Sequence, residues 1–205
     1  MAVRKIPIQT RSFCGKFFSI KNNKLINYES QLEYACMLML EFDDEVTDYE
    51  PQPLKIKNYI PDVLAKRKKS KDLLIEVKYS EETFNPTERL QKKFDKLKEY
   101  AKQHNMEFLI FTEQHITEPY FSNIKNIYQF TNQKVPKYIK SQIIENIPKQ
   151  GISIQALFNK LNLSTYETAI YKGYLMHLIY KKKIFTDLNN KITNHSIIYK
   201  GYSND

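Results

Sequence analysis

The sequence predicts an α/β fold of the α+β kind, a mixed β-sheet flanked by helices, followed by a small helical domain that closes on a β-hairpin. Three observations carry this. Short apolar runs of strand length recur at residues 54–56, 59–65, 73–77 and 107–112, divided by hydrophilic turns. Segments with the 3.6-residue period of an amphipathic helix stand before and among them, and strand, strand, helix, strand is the order of a sheet with helices on its faces. Past residue 133 the pattern becomes helix after helix until a final hairpin.

In chain order, the first two dozen residues, through Phe17, Phe18 and Ile20, read as an extended basic arm with some strand character. From Ser30 the apolar positions Leu32, Ala35, Cys36, Met39 and Leu40 recur on one helical face, and Ser30 with Glu33 matches a capping box. Glu33 borders the buried face, alongside Met37 and Leu40, so a carboxylate there needs a partner as well as a cap. Residues 41–50 form a strongly acidic stretch whose ordinary reading is a solvated loop, and 54–56 is expected as a strand. Two apolar runs around a hydrophilic turn at 66–72 then read as a hairpin.

Asn85-Pro86-Thr87-Glu88 predicts a helix start, and Leu90, Phe94, Leu97 and Ala101 mark its apolar stripe to near Asn105. The other face carries Lys92, Lys93, Lys96, Lys98 and Lys102, a face that more often serves solubility than DNA contact. Residues 124–130 are expected as a weaker strand, with a domain boundary between 132 and 133. In the second domain, helices are predicted at 137–148, 153–161 and 164–181, and 184–187 with 191–193 as a hairpin around 188–190. Three helices and a hairpin are the order of a winged helix-turn-helix, a unit that binds DNA or protein partners.

The formal net charge of +9 is unevenly placed. Residues 1–24 hold six basic side chains and no acid, residues 25–132 have a net charge of −4, and residues 133–205 one of +7. Basic flanks around an acidic middle fit a protein that grips a phosphate backbone with its periphery and acts on it at its centre. The GxGxxG and GxxxxGK[ST] loops are absent, which argues against a dinucleotide enzyme or an ATPase. Cys14 and Cys36 lie in no metal-binding or disulfide pattern, and no apolar run approaches membrane length, so a protein of the reducing cytoplasm is expected.

The chemistry concentrates in Tyr59-Ile60-Pro61-Asp62 and Leu74-Ile75-Glu76-Val77-Lys78. In the expected hairpin Asp62 and Glu76 converge at neighbouring strand ends. Strand alternation puts Glu76 and Lys78 on one face and Ile75 and Val77 on the other. Two carboxylates and an ammonium in one small volume suit a hard divalent cation that keeps waters and leaves room for a phosphate oxygen. The pair of motifs resembles the metal core of a PD-(D/E)xK nuclease.

Taken in order, Tyr28-Glu29-Ser30-Gln31-Leu32-Glu33, Leu40-Glu41-Phe42-Asp43, Gln52-Pro53, the Asp62 motif and the Glu76–Lys78 motif make the chain resemble the TnsA-type endonuclease subunit of heteromeric transposases, over roughly residues 10–132. The resemblance implies a restriction-endonuclease-like fold for residues 1–132, with a winged-helix domain at 133–205. It implies a catalytic set of Glu33, Asp62, Glu76 and Lys78, with Glu33, Asp62 and Glu76 as ligands of Mg²⁺, for which Mn²⁺ can substitute, and with Glu29 as the rival of Glu33. It further implies a bacterial cytoplasmic endonuclease that hydrolyses phosphodiester bonds at the 5′ ends of a transposon. Its partners would be the transposon-end DNA, an integrase-type transposase and an AAA+ ATPase regulator. A stand-alone restriction-type or repair endonuclease, and a catalytically idle DNA-binding adaptor, are the competing readings.

Overall fold

The computed structural model describes residues 14–201, and the chain divides into two compact units, Met1–Ile116 and Thr117–Asp205. The greater part of the expected basic arm, residues 1–13, lies outside the described residues.

The first unit begins with a hairpin, β1 (Gly15–Ser19) and β2 (Lys24–Tyr28), turned by Asn23 at a φ of 49°. Asn tolerates that left-handed conformation better than most residues. Gly15 sits under the Tyr28 ring, where a Cβ would stand 2.3 Å from the phenolic oxygen. The next helix, α1 (Gln31–Phe42), starts where Ser30 Oγ accepts from the Glu33 amide at 3.1 Å. Its far end is held by Lys21, whose ammonium donates to the carbonyls of Leu40 at 2.9 Å and Val46 at 2.6 Å. A cation belongs at such a C-terminus, where helix carbonyls lack intrahelical donors.

Glu41 departs from its expected place in a solvated loop. It lies on α1 and is only 3% exposed, accepting from Ser19 Oγ, the amides of Ile20 and Lys21, and Tyr49 Oη at 2.7–3.0 Å. With this many donors a buried carboxylate is satisfied, so Glu41 fastens the hairpin to the helix. The acidic stretch after it is also structured, as β3 (Val46–Pro51). Val46 and Tyr49 are its buried positions, and a bulge between Val46 and Asp48 breaks the alternation that would have marked a strand. The strand expected at 54–56 is reduced to a bridge between Ile56 and Tyr59, turned by Lys57 at a φ of 55°.

β4 (Val63–Arg67) and β5 (Leu73–Val77) form the expected antiparallel hairpin. The short α2 (Ser80–Phe84) and the long α3 (Glu88–Gln103) then lead to β6 (Glu107–Phe111), which pairs parallel with β5. The sheet order is β3-β4-β5-β6, antiparallel on one side and parallel on the other, so the sheet is mixed as expected. The parallel pair follows from the helical crossover through α3, which a tight turn could not replace. The cap of α3 is Thr87, whose Oγ1 accepts from the Leu90 amide at 3.3 Å, within the helix start expected at residues 85–88.

Leu97 and Ala101 of α3 pack with Ile56 and Leu74 in a core cluster, and Leu97 is fully buried. Truncating such a leucine to alanine costs about 2–5 kcal/mol. β5 is covered on both faces, Leu74, Ile75 and Glu76 all being 0% exposed. Glu76 is therefore a charge placed in a strand that is otherwise hydrocarbon. Removing it from water is costly unless something in the fold or a ligand compensates.

The second unit starts earlier than the sequence suggests. Residues 124–130, expected as a strand of the first domain, belong mostly to a helix, α4 (Tyr120–Tyr128), with Ile124 and Ile127 fully buried at the three-residue spacing of a helix face. Asn123 fixes this helix to its own unit, donating to the carbonyls of Leu188 and Asn190 at 2.8 Å and accepting from the Ile192 amide at 3.2 Å. The division accordingly falls at Ile116/Thr117 and not between 132 and 133.

There follow α5 (Lys137–Glu145), β7 (Ile152–Ser153), α6 (Ile154–Lys160), α7 (Thr165–Tyr180), β8 (Ile184–Phe185) and β9 (Ile197–Lys200). The three short strands form an antiparallel sheet in the order β7-β9-β8. Ser164 and Glu167 close the capping box of α7, and Ser153 caps α6 by accepting from the Ala156 amide. The returning strand is 197–200, in place of the expected 191–193. Residues 188–192 are held by Asn123 and cannot join a ladder there. Among the described residues no helix is long and apolar enough to cross a membrane.

Candidate active site

Asp62 stands immediately before β4 and is held from both sides by backbone. Its amide donates to the Ile75 carbonyl at 3.1 Å, and its carbonyl accepts from the Gln52 amide at 2.9 Å. Its side chain reaches across to β5, where Oδ2 accepts from the Val77 amide at 2.7 Å. The carboxylate is thus pinned beside the strand that carries Glu76 and Lys78. Such rigidity suits a group that must present oxygen at a fixed point.

Glu76 is the centre of charge in this region. One oxygen, Oε1, receives the Lys93 ammonium and lies 3.3 Å from Lys78 Nζ. The other, Oε2, is buried with no hydrogen-bond partner among the described residues. Burial pushes the Glu76 carboxyl above its ordinary range, the nearby Asp62 charge adds to this, and the two lysines oppose it. Lys78 donates to the Val77 carbonyl at 2.8 Å, and its own amide extends the β5–β6 ladder to the Phe111 carbonyl at 3.0 Å. Desolvation lowers the Lys78 pKa, but Asp62 and Glu76 outweigh it and the net shift is upward. Lys78 is accordingly an ammonium at neutral pH.

Glu33 approaches from α1. Its Oε2 accepts from the Glu29 amide at 2.7 Å, one residue beyond the reach of the expected capping box. Burial, together with the charges of Asp62 and Glu29, pushes its carboxyl up to about 7 against the Glu29 amide bond and Lys78. Glu33 therefore stands in the field of Asp62 and Lys78. The rival Glu29 is tied elsewhere, its Oε1 accepting from Gln52 Nε2 at 2.9 Å. Gln52, at a φ of 46°, thus links the Glu29 side chain to the Asp62 backbone.

The structure brings Asp62, Glu76 and Lys78 together and sets Glu33 within electrostatic reach. It adds Lys93, which the sequence placed on a solvated face. Its side chain is 18% exposed and bound to Glu76. The available signal was its position next to Phe94 and three residues after Leu90, at the edge of the buried stripe. Among the described residues, no three His, Cys, Asp or Glu side chains are gathered closely enough to close a metal shell. Their chemistry nevertheless fits a cation. The Asp62 charge bears on both Glu33 and Glu76, and Glu76 keeps a buried oxygen with no hydrogen-bond partner among the described residues.

A cleft of about 540 Å³ opens beside this cluster, with Lys93 in its wall. Residues 22–113 match the family model of the TnsA-like endonuclease N-terminal domain, a span that contains Glu33, Asp62, Glu76, Lys78 and Lys93. No curated protein matches the chain.

Proposed function

Because the chain carries a TnsA-like endonuclease N-terminal domain over residues 22–113, we propose that it is the DNA-cleaving subunit of a transposition machine and that its cut is a metal-dependent hydrolysis at the 5′ ends of the element. The observation that supports this best is the buried, unpartnered Oε2 of Glu76 beside Asp62 and Lys78. A buried carboxyl oxygen without a hydrogen-bond partner calls for compensation, and a bound cation supplies it.

In this reading Asp62 and Glu76 hold Mg²⁺ or Mn²⁺, and Glu33 completes the set. The ion would supply charge neutralisation at the phosphate and a bound water of lowered pKa. The chain's own residues supply the rest. Asp62 is immobilised by the Val77 amide, which keeps the two carboxylates in register. Lys78, protonated and held by the Val77 carbonyl, offers positive charge where the pentacovalent phosphate gathers negative charge, and it orients the attacking water. The hydrocarbon around β5 keeps bulk water away and strengthens both effects.

The second unit has the helix-strand-helix-helix-strand-strand order of a winged helix after its leading helix α4. We assign it the coupling role, toward an integrase-type transposase and an AAA+ ATPase, in the bacterial cytoplasm. The nuclease reading is tested with the purified chain on supercoiled and linear DNA in Mg²⁺ or Mn²⁺, alone and with an integrase-type transposase. Asp62→Ala should abolish both calorimetric Mn²⁺ binding and nicking while the melting temperature stays within a few degrees. Unchanged metal affinity in that variant would remove Asp62 from the site. Cleavage at full rate without any partner would favour a stand-alone endonuclease.

A further inference from the structure

The cleft beside Glu76 lies between the loop at 58–60 and the segment that runs from α2 into α3. Its polar wall is Asn58, Glu82, Asn85, Thr87, Arg89 and Lys93. At about 540 Å³ it falls within the range of ligand-binding clefts, roughly 300–1,000 Å³. Lys93 gives it a direct connection to the carboxylate cluster, because the same ammonium that lines the cleft is bound to Glu76 Oε1.

Arg89 and Lys93 are one helical turn apart on α3 and therefore point the same way. The single acid in the wall, Glu82, is partly engaged by the Tyr79 amide at 3.3 Å. Two bases, three neutral hydrogen-bonding side chains and the apolar Tyr59, Ile60 and Leu90 make a surface for a phosphate joined to a sugar. An ammonium carries three donor hydrogens, so Lys93 can keep Glu76 and bind a phosphate oxygen at once.

We propose, resting on the nuclease reading, that this cleft seats the phosphodiester adjoining the one that is cut, with Arg89 and Lys93 as its phosphate contacts. Lys93 then joins substrate to site. It ties the backbone of the bound strand to the carboxylate on which the reaction depends, so that correct seating of the neighbouring phosphate and correct placement of Glu76 become one event.

The test uses the full chain and a fluorescein-labelled duplex, with dissociation constants measured by polarisation in EDTA over a series of salt concentrations, beside a nicking assay in Mn²⁺. Arg89→Gln and Lys93→Gln should each weaken binding by roughly 3–10-fold at low salt and flatten the dependence of log K on log salt by about one. Lys93→Arg should restore most of the loss. Lys98→Gln, on the opposite side of α3 from Arg89, should bind as the unaltered chain does. Arg89 is exposed, so its variant keeps the test valid even if Lys93→Gln fails to fold. Nicking by the unaltered chain together with unchanged affinity and slope in Arg89→Gln would overturn the cleft assignment and leave the nuclease reading standing. Lys93→Gln that melts lower yet binds DNA with unchanged slope would reduce Lys93 to a structural ion pair. If the unaltered chain neither binds nor nicks DNA in Mn²⁺, both readings fall.

Discussion

Replacing Glu33 by Gln should make the metal-free protein more stable at alkaline pH and disable it as a nuclease. The folded-state carboxyl sits at about 7, against an ordinary value of 4.5, because burial and the charges of Asp62 and Glu29 disfavour its ionised form. Between those two values the folded chain holds a proton that the unfolded chain has released. Stability contributed by this group is therefore fully present below pH 4.5 and lost as the pH rises to about 7. At 1.36 kcal/mol per unit, the loss is roughly 3 kcal/mol once Glu33 is ionised. Gln cannot ionise, and its carbonyl can still accept from the Glu29 amide, which the carboxylate meets at 2.7 Å.

Urea unfolding in EDTA should accordingly give the same midpoint for the two proteins near pH 4.5 and a gap that widens to roughly 3 kcal/mol by pH 8. Adding Mn²⁺ at pH 8 should stabilise the unaltered chain, since a ligand that binds only the folded state shifts unfolding by mass action. It should do much less for the variant, whose nicking should be nearly lost. Parallel stability curves from pH 5 to 8 would refute the burial argument for Glu33, and near-normal nicking would return the helical carboxylate role to Glu29.

Three further outcomes are expected. Lys78→Ala should leave Mn²⁺ affinity intact or tighter, because a positive charge leaves a carboxylate cluster, while single-turnover nicking falls by about 10²–10³; an equal loss of metal binding would mean that Lys78 only holds the site together. Glu41→Ala should lower stability by about 3–5 kcal/mol, visible as a lower urea midpoint at constant slope, since Ser19, Tyr49 and two amides lose a buried acceptor; a change under 1 kcal/mol would show that water replaces it. A chain ending at Ile116 should melt cooperatively, whereas one ending at 132 should bind more of a hydrophobic dye, because it carries Ile124 and Ile127 without the second unit that buries them; equal dye binding would place α4 with the first unit after all.

Much of the fold was legible because its local signals agree with its tertiary demands. Ser30 before α1 and Ser164 with Glu167 before α7 announce helices by satisfying amides that would otherwise lack partners. The β4–β5 hairpin was legible because both strands are short, apolar and split by a hydrophilic turn. What failed was pattern reading wherever a single residue or irregularity overrides the period. In β3 the buried Val46 and Tyr49 are three apart only because a bulge intervenes, and that spacing in an acidic stretch reads as loop. At 124–130 the β-branched and aromatic residues favour a strand, yet Asn123 binding the 188–192 loop and the burial of Ile124 and Ile127 select a helix. The same anchor moves the closing strand to 197–200, a consequence invisible to any window that does not span both segments.

The candidate site divides along the same line, between what one strand can dictate and what only packing can bring together. Alternation alone puts Glu76 and Lys78 on one face, and Lys78 does lie 3.3 Å from Glu76. It cannot reveal that Lys93 of α3 reaches this face, or that the Glu76 carboxylate is wholly buried there. Once it is buried, charge must be balanced from outside the strand, and a crossover helix with several lysines is the nearest supply. Helical phase then selects among them. Lys92 is exposed and paired with Glu88, whereas Lys93, flanking Phe94, is turned inward to Glu76. A run of lysines that composition assigns to solubility thus contains one whose position is fixed by the strand beneath it. That makes burial of Glu76, more than the motif around it, the feature that sets which side chains surround the carboxylate cluster.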